Sequence, residues 1–201
     1  MKFYRDSVTQ QSWRLLQDLA RQHRLVVIGG WAVWLYTRQL KSKDIDVVVE
    51  LAELERLRQE FDVFKNERLK KYELRQGEVE VDIYVQFYSL PGIAAEKVLE
   101  DARVVEGFKL PSAELLWVLK AVTWVARRGS GKGRKDLLDL VGLLETGEID
   151  KAKLGKWVAE AGAKMAVAEV ADELQSLTSV EELGLNRHQV ARAKRRWLEL
   201  L

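Results

Sequence analysis

The stretch IGGWAVWLYTRQLKSKDIDVVVE, residues 28–50, decides the reading of this 201-residue chain. Two glycines stand where a helix should open, and two aspartates one residue apart begin the most apolar strand. Neither placement helps a fold by itself. Glycine gives up conformational entropy when it is ordered, and a carboxylate beside three valines has to be solvated, paired or metal-bound. LVVI (25–28) reads as a short buried strand, and the glycines turn the chain into a helix over roughly residues 31–37. DIDVVVE (44–50) is the second strand, followed by a helix over 53–61.

In a strand, residues two apart share a face at about 7 Å along the chain. Asp44 and Asp46 therefore point one way, and Ile45, Val47 and Val49 the other. Further on, KYELRQGEVEVDIYV reads as two strands around the turn pair Gln76-Gly77. The second alternates: Val79, Val81, Ile83 and Val85 on one face, Glu80, Asp82 and Tyr84 on the other. If these strands are neighbours, Asp44, Asp46 and Asp82 converge, and the repulsion must be relieved by protonation or a cation. Hard divalent cations with oxygen ligands fit that demand, and Mg²⁺ prefers sites completed by phosphates. The residues alone leave a second reading open, in which Asp44 caps a strand and the other two face water. Gly29-Gly30 also reads two ways, as a phosphate cradle at a helix N-terminus or as a tight turn.

The run GGWAVWLYTRQLKSKDIDVVV followed by VEVDIYV resembles the nucleotidyltransferase superfamily, with its polymerase-β-like fold. The spacing is closest to the group holding AbiE-type toxins and minimal nucleotidyltransferases, with Ser42-Lys43-Asp44-Ile45-Asp46 matching that group's Ser/Thr-x-Asp-Ile-Asp. LPSAELLWVLKAVTWVARRGSGKGRKDLLDL continues the likeness, which covers roughly residues 25–145. It implies that Gly29, Gly30 and Ser42 hold the triphosphate and that Asp44, Asp46 and Asp82 bind Mg²⁺, two ions in all. It further implies that Asp82 deprotonates the attacking hydroxyl, and that Lys120 and Asp136 line the nucleotide side, Lys120 with a catalytic part. The sequence departs from the pattern at Leu40, where many relatives carry Arg; Arg38 and Lys41 are nearby. The activity implied is Mg²⁺-dependent transfer of an NMP group from an NTP to a hydroxyl acceptor, RNA (tRNA) or protein. A toxin–antitoxin role with a small partner protein is implied as well. The alternative is a degenerate member that binds nucleotide or a partner without turnover.

The fold expected is α/β (α+β), a small mixed sheet with helices on one side in residues 1–107, followed by an all-helical domain in 108–201. Helix α1 is expected over 7–24, with Val8, Leu15, Leu16 and Leu19 as its apolar side, and a short strand near 102–107. From Pro111 onward the pattern is helical, broken at RGSGKGR (128–134), TGEID (146–150), Gly162 and GLN (184–186). RGSGKGR lacks the Walker spacing and reads as a mobile basic loop; with NRHQVARAKRRW it offers basic stretches to a polyanion. His23 and His188 have no metal-ligand spacing, and Trp31 and Trp34 read as core. An apolar content of 47% supports a packed core, and a net charge of +2 does not by itself imply nucleic acid. There is no cysteine for disulfides or thiolate metal sites. No apolar run is long enough to span a membrane, and MKFYRDSVTQQ contains no apolar h-region. The expectation is a cytoplasmic protein.

Overall fold

The computed structural model describes residues 6–201; the first five residues of the stretch read for a leader lie outside the described residues. The chain divides into two compact units, one ending at Ser112 and one spanning Ala113–Leu201.

The first unit is a five-stranded mixed sheet. Its strands are β1 (Leu25–Ile28), β2 (Ile45–Val49), β3 (Phe64–Asn66), β4 (Lys71–Gln76) and β5 (Val79–Val85), in the order β1-β2-β5-β4-β3. Only β2 and β5 run parallel; the other pairs are antiparallel. The helices α1 (Asp6–Gln22), α2 (Gly29–Thr37), α3 (Leu51–Glu60) and α4 (Ala95–Glu100) belong to this unit. α1 packs on β5, α2 on β1 and β2, and α4 on β2 and β5. Along β5 the expected alternation holds: Val79, Val81, Ile83 and Val85 are buried while the residues between them stay partly exposed. One face of the sheet is therefore core, and the polar residues of β4 and β5 line the other.

Several elements differ from the sequence reading. β3 and α4 were not expected, and the strand near 102–107 is one arm of a hairpin, β6 (Arg103–Val105) with β7 (Phe108–Leu110). The β4–β5 turn falls at Gly77-Glu78, since Gln76 pairs with Val79. Trp31 is buried, as read; its indole N–H donates to Ser12 Oγ at 2.8 Å, and it packs with Trp13 and Trp34.

The second unit is helical: α5 (Ala113–Arg127), α6 (Gly131–Glu145), α7 (Lys151–Glu160), α8 (Lys164–Ser176), a 3₁₀ turn (Glu181–Leu183) and α9 (Arg187–Leu200). α5 packs against α6, α7 and α8. It is buried on every side from Ala113 to Ala121, as a helix apolar nearly all round should be. The mobile loop expected over 128–134 is not there. Ser130 caps α6 by accepting from Gly133 N–H at 3.0 Å, and the helix starts at Gly131. Gly133 is required by packing, because a Cβ there would stand 2.2 Å from the Arg127 carbonyl oxygen. Three glycines that read as a loop are the tight corner between two helices.

Candidate active site

The register of the sheet builds the site. Ile28, the last residue of β1, lies opposite Asp46 on β2, and Asp46 lies opposite Asp82 on β5. Gly29 follows directly, at φ +65°. An added Cβ would lie 2.2 Å from Asp46 Oδ2, so both the backbone turn and the approach of the carboxylate demand glycine here. α2 then begins with Ile28 as its N-cap, a residue whose side chain cannot cap, at the carboxylate end of the sheet. Ser42 is 7% exposed on the connection to β2.

Asp44 precedes β2. Its Oδ1 is buried and accepts no hydrogen bond, with the Lys43 ammonium at 3.5 Å. Asp82 accepts from Lys71, whose Nζ stands 2.6 Å from Oδ2 and 3.0 Å from Glu73 Oε1. Burial pushes the Asp82 carboxyl above its ordinary range; Lys71 pulls it back only in part, and Glu73 and Asp44 push it further up. Lys71 is itself held more firmly protonated than usual, its two carboxylate partners outweighing burial. The causes differ: burial dominates at Asp82, whereas at Lys71 burial opposes the rise and the carboxylates prevail, and Glu73, bonded by Lys71 and Asn66, holds its own proton less tightly than usual.

Among the described residues no three Asp, Glu, His or Cys side chains are gathered as a ready metal cradle. The third expected ligand, Asp82, is engaged by Lys71 instead. The site nonetheless suits a hard divalent cation in its donor chemistry: its candidate donors are all oxygen, and one buried Asp44 oxygen has no hydrogen bond.

Lys120 and Asp136 lie in the helical unit. Lys120 is 8% exposed, and its Nζ donates to Asp136 Oδ1 at 2.9 Å and lies 2.7 Å from Asp139 Oδ2. Lys135 also bonds Asp139, at 3.1 Å. These neighbours hold Lys120 well above the ordinary lysine range despite its burial. The basic residues of 127–135 are mostly committed as well: Arg127 to Asp136, Arg128 to Glu169, Arg134 to Glu182 and Lys135 to Asp139. A free polycationic loop is therefore absent from this segment. Arg38, the arginine nearest the Leu40 departure, pairs with Glu106 and lies over the Trp34 ring at 4.3 Å. His23, given no role, is buried with Nδ1 2.9 Å from Glu53 Oε1.

The residue that sequence reasoning missed is Lys71. Its signal was the hairpin itself: pairing Gln76 with Val79 sets Glu73 opposite Asp82 and puts Lys71 one diagonal step away.

Sequence comparison finds no matching family model and no curated relative. Solved structures do match. An antigenic nucleotidyltransferase-like protein of Paracoccidioides brasiliensis superposes with a TM-score of 0.50 at 17% identity, over 90% of this chain and 94% of that one. The antibiotic-resistance factor ANT(2'')-Ia gives 0.52 at 17% identity, over 83% and 97%. The chain has the nucleotidyltransferase fold. The Megavirus polyadenylate synthase shares that fold at a TM-score of 0.50 and 13% identity; the match spans 71% of this chain and 32% of the viral one. At such identities the likeness concerns the fold, and the activity has to be argued from the side chains.

Proposed function

We propose that the chain transfers an NMP group from an NTP to a hydroxyl of an RNA or protein acceptor. The observation that carries this reading is the register that sets Asp46 opposite Asp82, with Gly29 close enough that no Cβ could fit against the Asp46 carboxylate. Gly29 and Gly30 open a nine-residue helix whose first-turn N–H groups suit a phosphate, and the resemblance assigns Ser42 to the same phosphates. Asp44 and Asp46 would hold Mg²⁺, with Asp82 as the third ligand and, by the resemblance, two ions. Bound there, the metal supplies charge neutralisation to the phosphates.

In the transfer, the acceptor oxygen bonds to the α-phosphorus and the bond from that phosphorus to the pyrophosphate oxygen breaks. The hydroxyl proton goes to Asp82, whose raised affinity for protons suits a general base. Lys120 and Asp136 are spent on each other inside the helical unit, which supports a structural role for them. One observation favours the second reading, nucleotide binding without turnover: Leu40 stands at the arginine position, and Arg38 is already paired with Glu106. The resemblance to AbiE-type proteins makes a toxin role one to test, by co-purifying the chain with the product of its neighbouring reading frame.

The direct test supplies each NTP, labelled at the α-phosphorus, with Mg²⁺ and total RNA or protein. Label on the acceptor that Asp82→Asn abolishes supports transfer. Binding without any label moves the assignment to the second reading.

A further inference from the structure

Lys71 opens β4, with Lys71, Glu73 and Arg75 on the polar face and Tyr72 and Leu74 in the core. Only 9% of Lys71 is exposed, which is rare for a lysine without a demanding partner. Its partner is Asp82, the third carboxylate of the site. An ammonium 2.6 Å from Asp82 Oδ2 and a Mg²⁺ ion, which needs an oxygen at roughly 2.1 Å, cannot share that oxygen without strong repulsion. Lysine is suited to moving aside, being a compact charge on a flexible four-carbon stem. A second acceptor is in place to receive it. Glu73 Oε1 lies 3.0 Å from Nζ, and the same oxygen accepts from Asn66 Nδ2 at 2.9 Å, which holds the carboxylate in place.

We propose that Lys71 is a tethered counter-cation of the site, holding Asp82 until a divalent ion displaces it onto Glu73. Lys71 thereby sets the metal affinity. This rests on reading the three aspartates as a metal site.

The test is a Mn²⁺ titration of the full-length chain, read by the loss of the free-ion electron paramagnetic resonance signal, with a thermal melt of each variant. Lys71→Met should bind Mn²⁺ about tenfold more tightly than wild type. Lys71→Arg, which keeps the charge, should stay near wild type. In an Asp82→Asn background, Lys71→Met should have no effect, which a merely structural role for Lys71 would not predict. Glu73→Gln removes the receiving acceptor and should weaken binding. Unchanged or weaker binding in a folded Lys71→Met overturns the proposal. Should that variant lose its cooperative melt, Glu73→Gln decides, and binding equal to wild type or tighter overturns it. If wild type takes up no Mn²⁺, or Asp44→Asn/Asp46→Asn binds it equally well, the metal-site reading itself fails, an outcome distinct from a null effect at Lys71.

Discussion

Gly29 carries two constraints at once, a positive φ and a carboxylate where its Cβ would be. An alanine there must strain the backbone by about 1–2 kcal/mol and push Asp46 off its place opposite Asp82. Gly77 is the natural control, since it shares the positive φ but has open space around it. Gly29→Ala is therefore expected to lose most Mg²⁺-dependent NTP binding, while Gly77→Ala costs stability alone. Titration calorimetry and urea melts on both variants check this, and equal effects on binding would contradict it. The glycines and aspartates were legible from sequence because their chemistry is costly where they stand. The Lys71 contact was not: a lysine on a polar strand face reads as solvated, and only the pairing register reveals Asp82 beside it.

Among the elements, α5 and α6 show how a sequence reading goes astray. Glycines at 129, 131 and 133 signal a loop by composition, yet Ser130 caps a helix and Gly133 permits its first turn to touch the end of α5. No period-2 or period-3.6 pattern reports such a contact, because it joins two helices across a corner and is made by an absent side chain. β3 escaped for a related reason: three residues at a sheet edge carry no periodicity. The α5–α6 pair is held by Lys120 between Asp136 and Asp139. Removing one partner of a buried ion pair strands the other, at about 3–5 kcal/mol. Lys120→Met is expected to destabilise the protein by that order in urea unfolding. A loss under about 1 kcal/mol would mean that Lys135 and Arg127 already neutralise both aspartates.

For the whole molecule, the charge on the carboxylate cluster links stability to pH. Asp82 binds its proton more tightly in the folded state than the ordinary 3.8 of an unfolded aspartate. Its contribution is therefore fully present below that ordinary value and is lost as pH rises through the raised one. Glu73 and Glu182 have lowered affinities for protons and act in the opposite sense, losing stability in acid. The difference between wild type and Asp82→Asn isolates the first effect. Without divalent metal, wild type should lose stability relative to Asp82→Asn as pH rises from the acid range toward neutral. A difference flat in pH would place Asp82 in ordinary solvent.

The fold class was legible from the two periods in the sequence and the change of character after Pro111, and the matches to solved nucleotidyltransferases bear it out. The proposed substrate chemistry rests on residues whose placement a fold alone does not require. The measurement that bears most directly on that chemistry is calorimetric titration of each NTP, with Mg²⁺, into wild type and Asp44→Asn/Asp46→Asn. Metal-dependent binding of at least one NTP by wild type, lost in the double variant, is the result predicted. Failure of wild type to bind any of them, or undiminished binding by the variant, would contradict the assignment of the aspartates to a metal–nucleotide site.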